Sequence, residues 1–345
     1  MFSATEHEQT AQELERLAAT CFSGAVAIVD GSQTEFLRTF GFLASDCQTP
    51  TQNATLFDIG SVTKTFTAAA IVRLESTGLL RVDQTLDQFF GSLPPPLCQI
   101  RLHHLLTHSS GLADFLGPSA EPREYSVDED YQPLSREELL DRIFRSRLLF
   151  PPGERWSYSN AGYSLLAAIV ELTAGDGFEA YLRQALLRPL AMHDTGYTFG
   201  TSEHSRVASG RIGDSDWGRP VDKAESPSWN LLGNGGLLTS IADLVRWQAA
   251  FCQLADDMLC GAANRRIVVE PDLDIWCGRG VFLCDTGSNL GPVAYHNGTN
   301  LAFSATVRWF PALNRFLAVV GNQLDHSALE VARTLSDCWK ASQPT

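Results

Sequence analysis

The stretch FDIGSVTKTFTAAAIVRL, residues 57–74, decides how the rest of the chain is interpreted. A short β-like run ends at Gly60, and apolar residues then recur at the roughly 3.6-residue period of a helix, which predicts a helix over residues 62–77. Ser61 would stand at the N-terminus of this helix, where free backbone N–H groups favour negative charge. Lys64 lies three residues further on, so its amine returns to the face of the Ser61 hydroxyl. This is the pairing that an activated serine nucleophile needs.

The alternative is that Ser61 is only an N-cap and that Lys64 is a solvated surface lysine, as is common at helix starts. Two observations favour chemistry instead. The chain contains only three lysines, Lys64, Lys223 and Lys340, so a chance S-x-x-K spacing is uncommon. The side chains after Lys64 are mostly small or apolar, which predicts a helix that is buried on all sides. A lysine on such a helix needs specific partners.

Length and composition describe an ordinary globular protein. The chain has 345 residues, of which 44% are hydrophobic and 19% charged, enough for one large domain or two closely packed ones. The formal net charge of -14 argues against nucleic acid or an anionic membrane surface as a partner. We find neither a secretory signal at the start nor an apolar run of membrane-spanning length, which predicts a cytoplasmic location.

The cysteines and histidines do not indicate a metal site. The eight cysteines contain no C-x-x-C pair, and free thiols in a reducing compartment are favoured over a disulfide framework or metal ligands. His104 and His108 have helical i, i+4 spacing, but no third ligand accompanies them, so structural roles are favoured. We therefore expect no metal and no cofactor.

Local patterns at the two ends of the chain predict an α+β fold. Ser3 and Glu6 have the spacing of a capping box for an amphipathic first helix. An apolar run at residues 24–29 is typical of a buried strand that turns at Asp30-Gly31 into a second one. Strand patterns return near the C-terminus and precede a last helix; they cover residues 280–285, 293–296, 302–310 and 315–321, and the helix covers 328–339.

The middle of the chain has mainly helical patterns joined by proline-containing turns. We therefore expect an antiparallel sheet domain, formed by residues 1–79 and 255–345 and flanked by the N- and C-terminal helices. Residues 80–254 would form a mostly helical inserted domain, with the active site at the interface. Residues 117–134, which carry acidic residues and prolines, are predicted to be an exposed loop, either a solvated face or a lid over the site.

Two further motifs are weak signals when each is taken alone. The run W-S-Y-S-N-A-G-Y at residues 156–163 places Tyr158 and Asn160 on a loop just before a predicted helix. His296-Asn297-Gly298 is predicted to end one strand and open a tight turn. The informative feature is the order: S-x-x-K early, Y-x-N after a helical insertion and H-x-G on a late strand.

In this order, the sequence resembles the serine β-lactamase and penicillin-binding-protein superfamily over roughly residues 20–325. The similarity is to its class C-like branch, which includes carboxylesterases, D-aminopeptidases and D-alanyl-D-alanine carboxypeptidases. Further stretches that carry it are L-L-T-H-S-S-G-L at 105–112, F-P-P-G at 150–153 and G-G-L at 235–237. The resemblance implies a β-lactamase/transpeptidase-like fold without a metal.

The resemblance also implies roles for individual residues. Ser61 would form the acyl-enzyme, and Lys64 and Tyr158 would share proton transfer, with either one as the general base. Asn160 would orient the acyl side chain.

The third motif would contribute to substrate and oxyanion binding through His296, Gly298 and Thr299. The oxyanion hole would consist of the backbone N–H groups of Thr299 and the serine nucleophile.

The third motif departs from the K-T-G or K-S-G of many β-lactamases, whose cation and hydroxyl hold the substrate carboxylate. His296 is mostly neutral at pH 7 unless perturbed, and Asn297 has no hydroxyl. The family's glycine-rich continuation is also replaced by bulkier residues at 299–302, which would narrow the acyl pocket. These differences favour esters or peptides over β-lactams.

The predicted function is a serine hydrolase that cleaves ester or amide bonds of small esters, amides or short peptides, with ester hydrolysis favoured. The alternatives are a D-stereospecific peptidase or DD-carboxypeptidase, a weak β-lactamase, and an acyltransferase that passes the same acyl group to an alcohol or amine. A non-catalytic binding protein on the same fold is a further alternative. The presence of Ser61, Lys64 and Tyr158 argues against it.

Overall fold

The computed structural model describes residues 2–44, 48–114, 132–213, 215–223, 228–259, 265–270, 273–285 and 288–342. Residues 117–131, which make up most of the predicted loop, lie outside the described residues. The prediction of a lid falls on these same residues. Within the described ranges, no helix combines the length and the apolar character needed to cross a membrane.

Groups of helices and groups of strands follow one another along the chain. The helices are α1 (Ala4–Ala18), α2 (Thr63–Ser76), α3 (Asp87–Phe90), α4 (Leu102–Leu106), α5 (Arg136–Arg145), α6 (Asn160–Ala174), α7 (Phe178–Leu182), α8 (Thr201–His204), α9 (Ile241–Leu259) and α10 (Ala328–Ser342). The strands are β1 (Gly24–Asp30), β2 (Gln33–Phe40), β3 (Leu56–Asp58), β4 (Thr195–Gly196), β5 (Gly210–Ile212), β6 (Ser215–Gly218), β7 (Leu238–Ser240), β8 (Arg265–Glu270), β9 (Leu273–Cys277), β10 (Phe282–Asp285), β11 (Val293–Asn300), β12 (Phe303–Phe310) and β13 (Arg315–Gly321).

The main sheet has eight strands in the order β2-β1-β13-β12-β11-β10-β9-β8, and every neighbouring pair is antiparallel. Strand β1 pairs along its whole length with β13, from Gly24 opposite Gly321 to Asp30 opposite Arg315. The two ends of the chain therefore build one sheet. The predicted α+β class is confirmed.

The side chains of β1 alternate between two cores, as the period of a strand requires. Val26 and Ile28 face the core beneath α1 and α10, whereas Ala25, Ala27 and Val29 face the core that contains α2 and α9. The N- and C-terminal helices thus cover one face of the sheet. Helix α2, which begins just after Ser61, lies on the opposite face.

The first helix is held to the sheet by polar contacts as well as by packing. Ser3 and Glu6 form the predicted capping box at its start. The buried Arg315 guanidinium contacts Glu6 and Asp30, each at 3.1 Å. The indole N–H of Trp339 on α10 donates to Thr10 at 3.0 Å.

The first part of helix α2 is buried around its circumference, as its small and apolar residues predict, whereas Arg73 and Ser76 near its end are exposed. Its side chains from Thr63 to Ile71, together with Leu74, are buried. Phe66 stacks on Trp247 of α9 with ring centroids 3.8 Å apart. This packing fixes the axis of the helix.

The middle of the chain combines helices with short strands. Strands β3, β7 and β4 form a three-stranded sheet, and β5 pairs with β6. Helices α4, α5 and α7 pack against α6, and α6 packs against α2. The loop before α6 is therefore brought to the start of α2.

The structure corrects one prediction for the C-terminal strands and adds two strands to the sheet. His296-Asn297-Gly298 does not end a strand, because β11 continues to Asn300 and the turn follows at Leu301, where φ is 53°. Gly298 does not break the strand; its missing side chain leaves room for the backbone of a neighbouring segment. Strands β8 and β9, which extend the sheet beyond β10, were not predicted.

Candidate active site

Ser61 lies in a short 3-10 turn, Gly60–Val62, that leads directly into α2. Gly60 has a φ of 48°, which favours glycine, and its N–H donates to the Asp58 carboxylate at 2.7 Å. The N–H groups of Val62 and Thr63 also donate within this turn, to the backbone oxygens of Ile59, Gly60 and Ser61. The turn is therefore well ordered, and it presents the partly exposed Ser61 at the start of the helix.

Lys64 is fully buried and its amine is surrounded by oxygen atoms. Nζ donates to Ser61 Oγ at 3.1 Å, to the side-chain oxygen of Asn160 at 2.6 Å and to the backbone oxygen of Asn234 at 2.6 Å. Burial lowers the pKa of Lys64 to about 7, and the charge of Asp114 partly opposes this effect. The amine is therefore poised to lose a proton near neutral pH.

The geometry determines where the lone pair of the neutral amine points. The Asn160 and Asn234 oxygens only accept hydrogen bonds, so each retains one N–H of Lys64 when the amine is neutral. The remaining direction faces Ser61 Oγ. Neutral Lys64 is thus oriented to take the proton of the serine hydroxyl.

Tyr158 approaches the same serine from the loop before α6. The Lys64 ammonium lies 4.9 Å from the centre of its ring, and the Ser61 side chain is close enough to influence the pKa of the phenol. Burial raises the pKa of Tyr158 above its ordinary value, and the nearby Ser61 side chain only partly opposes this. The side chain therefore stays a neutral phenol, which donates protons better than it accepts them.

His108 holds the tyrosine loop in place. Its backbone oxygen accepts from Ser157 N at 2.9 Å, and its Nδ1 accepts from Ser159 N at 3.1 Å. The imidazole stacks on the Tyr158 ring with centroids 4.3 Å apart. Burial is the main cause that lowers the pKa of His108 well below its ordinary value, so the ring is neutral.

Asn160 links Lys64 to a carboxylate that sequence reasoning missed. Its Nδ2 donates to Asp114 Oδ2 at 2.8 Å, and its backbone N–H donates to Asp114 Oδ1 at 3.1 Å. The other end of the amide accepts from Lys64. Asp114 lies two residues beyond the L-L-T-H-S-S-G-L stretch, and its position there was the available signal. The role of Asn160 in orienting an acyl side chain stays a prediction.

Asn234 is a second residue that was missed. Its side-chain amide donates to Ser164 at 2.8 Å and to the Asn230 backbone oxygen at 2.7 Å, which fixes the backbone carbonyl that faces Lys64. Its neighbours in the sequence, the glycines at 235 and 236, had pointed to this segment. Because the backbone oxygen makes the contact with Lys64, the residue type at position 234 could not have predicted it.

The third motif lies directly against the nucleophile turn. A side chain at Gly298 would overlap the Ile59 carbonyl and lie 3.0 Å from Ser61 N, and one at Gly60 would lie 2.7 Å from Thr299 N. The two backbones that carry the predicted oxyanion-hole donors are therefore in contact. The structure brings Gly298 and Thr299 beside Ser61, and their binding roles stay predictions.

His296 lies on the same face of β11 as Gly298 but is only 2% exposed. Its Nδ1 is 2.7 Å from the Asn297 backbone oxygen, which places the proton on Nδ1 because a carbonyl can only accept. Its Nε2 has no hydrogen-bond partner in the part of the chain that the structure describes. Burial lowers the pKa of His296 to about 3, and the charge of Lys64 adds to this. The ring is therefore neutral and has no positive charge to offer a carboxylate.

Comparison with known proteins identifies the family. Residues 10–336 match the family model described as Beta-lactamase. The chain belongs to the β-lactamase family. This confirms the resemblance that the motifs and their order had indicated.

The individual curated relatives share only a low sequence identity with this chain. Penicillin-binding protein 4* of Bacillus subtilis (strain 168) is 26% identical over 265 residues, which are 70% of this chain and 54% of that protein. Esterase EstB of Burkholderia gladioli is 32% identical over 194 residues, which are 53% of this chain and 49% of that protein. The chain thus spans about half the length of these curated relatives.

A solved structure supports the fold. The structure titled Beta-Lactamase/D-Alanine Carboxypeptidase from Pseudomonas syringae superposes with a TM-score of 0.79 at 17% sequence identity. The match covers 99% of this chain and 100% of that one. The β-lactamase/transpeptidase-like fold is thereby confirmed.

Proposed function

We propose that the protein is a serine hydrolase that cleaves ester or amide bonds of small substrates through an acyl-enzyme on Ser61. The observation that carries the proposal is the Lys64 amine, which contacts Ser61 Oγ at 3.1 Å while two other oxygens hold its remaining N–H groups. A lysine with a pKa of about 7 supplies the base that a serine hydroxyl needs.

The arrangement supports a specific sequence of proton transfers. Ser61 Oγ attacks the carbonyl carbon while neutral Lys64 takes its proton, and the N–H groups of Ser61 and Thr299 stabilise the oxyanion. The proton then passes to the leaving alcohol or amine by way of the Tyr158 hydroxyl, and the acyl-enzyme remains. A water molecule next gives a proton to Lys64 and attacks the acyl carbon. The bond between the acyl carbon and Ser61 Oγ then breaks, Oγ takes the proton back from Lys64, and the acid is released. The raised pKa of Tyr158 favours Lys64 over the phenolate as the general base.

The two predicted domains each contribute groups to this chemistry. Ser61 and Thr299 belong to the parts of the chain assigned to the sheet domain, and Tyr158 and Asn160 belong to the predicted helical insertion. We therefore propose that the active site lies at the interface between them. The contact between α2 and α6 supports this placement.

We propose neutral esters as the favoured substrates. Neutral His296 cannot hold a substrate carboxylate by charge, and in the described part of the chain Lys64 is the only cation whose charge acts on it. A substrate without a free carboxylate therefore needs no positive charge at His296. A β-lactam or a peptide with a free C-terminus would find no counter-ion for its carboxylate at this residue. The similarity to Esterase EstB supports the same preference.

Covalent labelling tests the mechanism. A fluorophosphonate probe should add one adduct to the wild-type protein, and peptide mapping should place it on Ser61. Ser61→Ala should remain unlabelled, whereas Ser76→Ala, an exposed serine on the same helix, should label like the wild type. A folded wild-type protein that takes up no probe, or equal labelling of Ser61→Ala, would contradict the proposal.

Turnover measurements test the substrate class. We expect p-nitrophenyl esters of short acids to be hydrolysed faster than D-amino-acid anilides, and nitrocefin to be the slowest. All three activities should disappear in Ser61→Ala. Faster cleavage of a D-amino-acid anilide would replace the esterase proposal by the peptidase alternative.

A further inference from the structure

The carboxylate of Asp114 makes two hydrogen bonds to the same residue. It accepts from the backbone N–H of Asn160 at 3.1 Å and from the side-chain Nδ2 of Asn160 at 2.8 Å. A flipped amide would place its oxygen against the negative carboxylate and its NH₂ group against the lysine donor. The paired contact therefore forces the Asn160 oxygen towards Lys64, where it accepts at 2.6 Å.

We propose that Asp114 is a positioning residue, which fixes the Asn160 amide for Lys64 and places a negative charge behind the amine. Asp114 acts through Asn160 and has no part in the bonds that form or break. Only the activity measurement rests on the proposed function. The protonation state of Lys64 can be measured directly, without any substrate.

The surroundings of the amine show why this one charge matters. Among the described residues, the other titratable groups that interact with it are two phenols and two imidazoles, those of Tyr158, Tyr163, His108 and His296. Burial keeps all four neutral at pH 7, because it raises the pKa of the phenols and lowers that of the imidazoles. The buried Cys277 thiol behind the phenols is also neutral, since burial raises its pKa to about 12.

Asp114 is thus the carboxylate whose charge acts on Lys64 within the part of the chain that the structure describes. Its charge favours the ammonium form, whereas burial favours the neutral amine. The carboxylate therefore keeps the pKa of Lys64 from falling below the neutral range. A lysine with a much lower pKa would be neutral but too weak a base for an alcohol.

The substitution Asp114→Asn removes the charge with little change in shape. An asparagine also presents an NH₂ group to the Asn160 Nδ2, and the repulsion between two donors would turn the Asn160 amide around. Both effects disfavour the ammonium form of Lys64. We expect the protonation midpoint of Lys64 to move to lower pH by about one pH unit.

Lysine NMR can measure this midpoint without any substrate. The chain has only three lysines, so labelling lysine with carbon-13 and nitrogen-15 gives three side-chain signals, and Lys64→Arg assigns the one from Lys64. The wild-type midpoint should lie near pH 7. It should fall in Asp114→Asn and stay unchanged in Asp176→Asn, a matched change at an exposed helix start. An unchanged midpoint in Asp114→Asn would overturn the proposal.

Two further variants separate positioning from simple loss of structure. Asp114→Ser keeps an acceptor for the Asn160 N–H but lacks the charge, so it should lower the midpoint even if Asp114→Asn fails to fold. Asp114→Glu retains the charge and should recover part of the shift. A midpoint that stays at the wild-type value in folded Asp114→Ser would also refute the proposal.

The pH profile of ester hydrolysis adds a readout that depends on the proposed function. The acid limb of kcat/KM should follow the Lys64 midpoint seen by NMR and move to lower pH in Asp114→Asn. If the midpoint moves but no ester is hydrolysed by the wild type, the role of Asp114 stands and the proposed function fails. If activity falls in Asp114→Asn while the Lys64 midpoint does not move, the effect is only structural and the proposal fails.

Discussion

The fully buried carboxylate of Asp58 is hydrogen-bonded to the side chain of Asn300 across 242 positions of sequence. Asn300 Nδ2 donates to Asp58 Oδ2 at 2.7 Å, while Asp58 Oδ1 accepts from Gly60 N at 2.7 Å. Gly60 precedes Ser61, and Asn300 follows Thr299. One carboxylate thus joins the two backbone segments whose N–H groups are the proposed oxyanion-hole donors.

We expect Asn300→Ala to lower kcat for esters by about 10-fold to 100-fold, because the Thr299 N–H is no longer held at a fixed distance from Ser61. Steady-state kinetics would measure the loss, and the Lys64 midpoint in lysine NMR should stay where it is in the wild type. Asn289→Ala, at an exposed asparagine on the surface, is the control and should be neutral. Wild-type kcat in Asn300→Ala would show that the contact does not shape the site.

The close approach of Gly298 to the nucleophile turn gives a prediction for stability. A methyl group at Gly298 would overlap the Ile59 carbonyl and crowd Ser61 N, so Gly298→Ala should destabilise the fold by about 1–3 kcal/mol. Surviving folded protein should also label poorly with a fluorophosphonate. Chemical denaturation measures the first effect. Gly177→Ala, where a methyl group meets open space, should cost far less; equal losses in the two variants would exclude a specific clash.

His108 should be required for placing Tyr158. We expect His108→Ala to reduce kcat by about 10-fold, since the loop loses the Ser159 contact and the stacked ring. His108→Asn should retain more activity, because asparagine tolerates the φ of 53° and offers an oxygen to Ser159 N. The comparison needs kcat at matched folded fractions. His326→Ala serves as the exposed control, and an Asn variant worse than the Ala variant would contradict the argument.

The low pKa of Lys64 makes stability depend on pH. Between pH 7 and about 10 the unfolded chain holds a proton on this lysine that the folded protein lacks, so stability rises with pH in this range. Relative to Lys64→Met, which has no such proton, the wild type should gain about 1.4 kcal/mol per pH unit. Below pH 7 the difference should be constant. Urea denaturation of both proteins across this range measures it, and parallel curves would mean that Lys64 titrates normally.

Local sequence patterns predicted the parts of the site that depend on a single element. The S-x-x-K spacing places Lys64 beside Ser61 because a helix returns the third residue to the same face. The same holds for the capping box of α1, at Ser3 and Glu6, and for the burial of α2. Each was predicted from a pattern within a single helix. The end of β11 was predicted wrongly at Gly298, because glycine is a turn signal locally and a packing requirement here.

The sequence by itself determined the family, the α+β class and the order of the three motifs, since these depend on residue types and their spacing. Only the tertiary structure decided the chemical state of the groups. Lys64 meets Asn160 and Asn234 from 96 and 170 positions away, Asp114 acts on it through space, and His296 is neutral because it is buried. A pKa depends on desolvation and on charges brought together by folding, and no local pattern of residues contains that information.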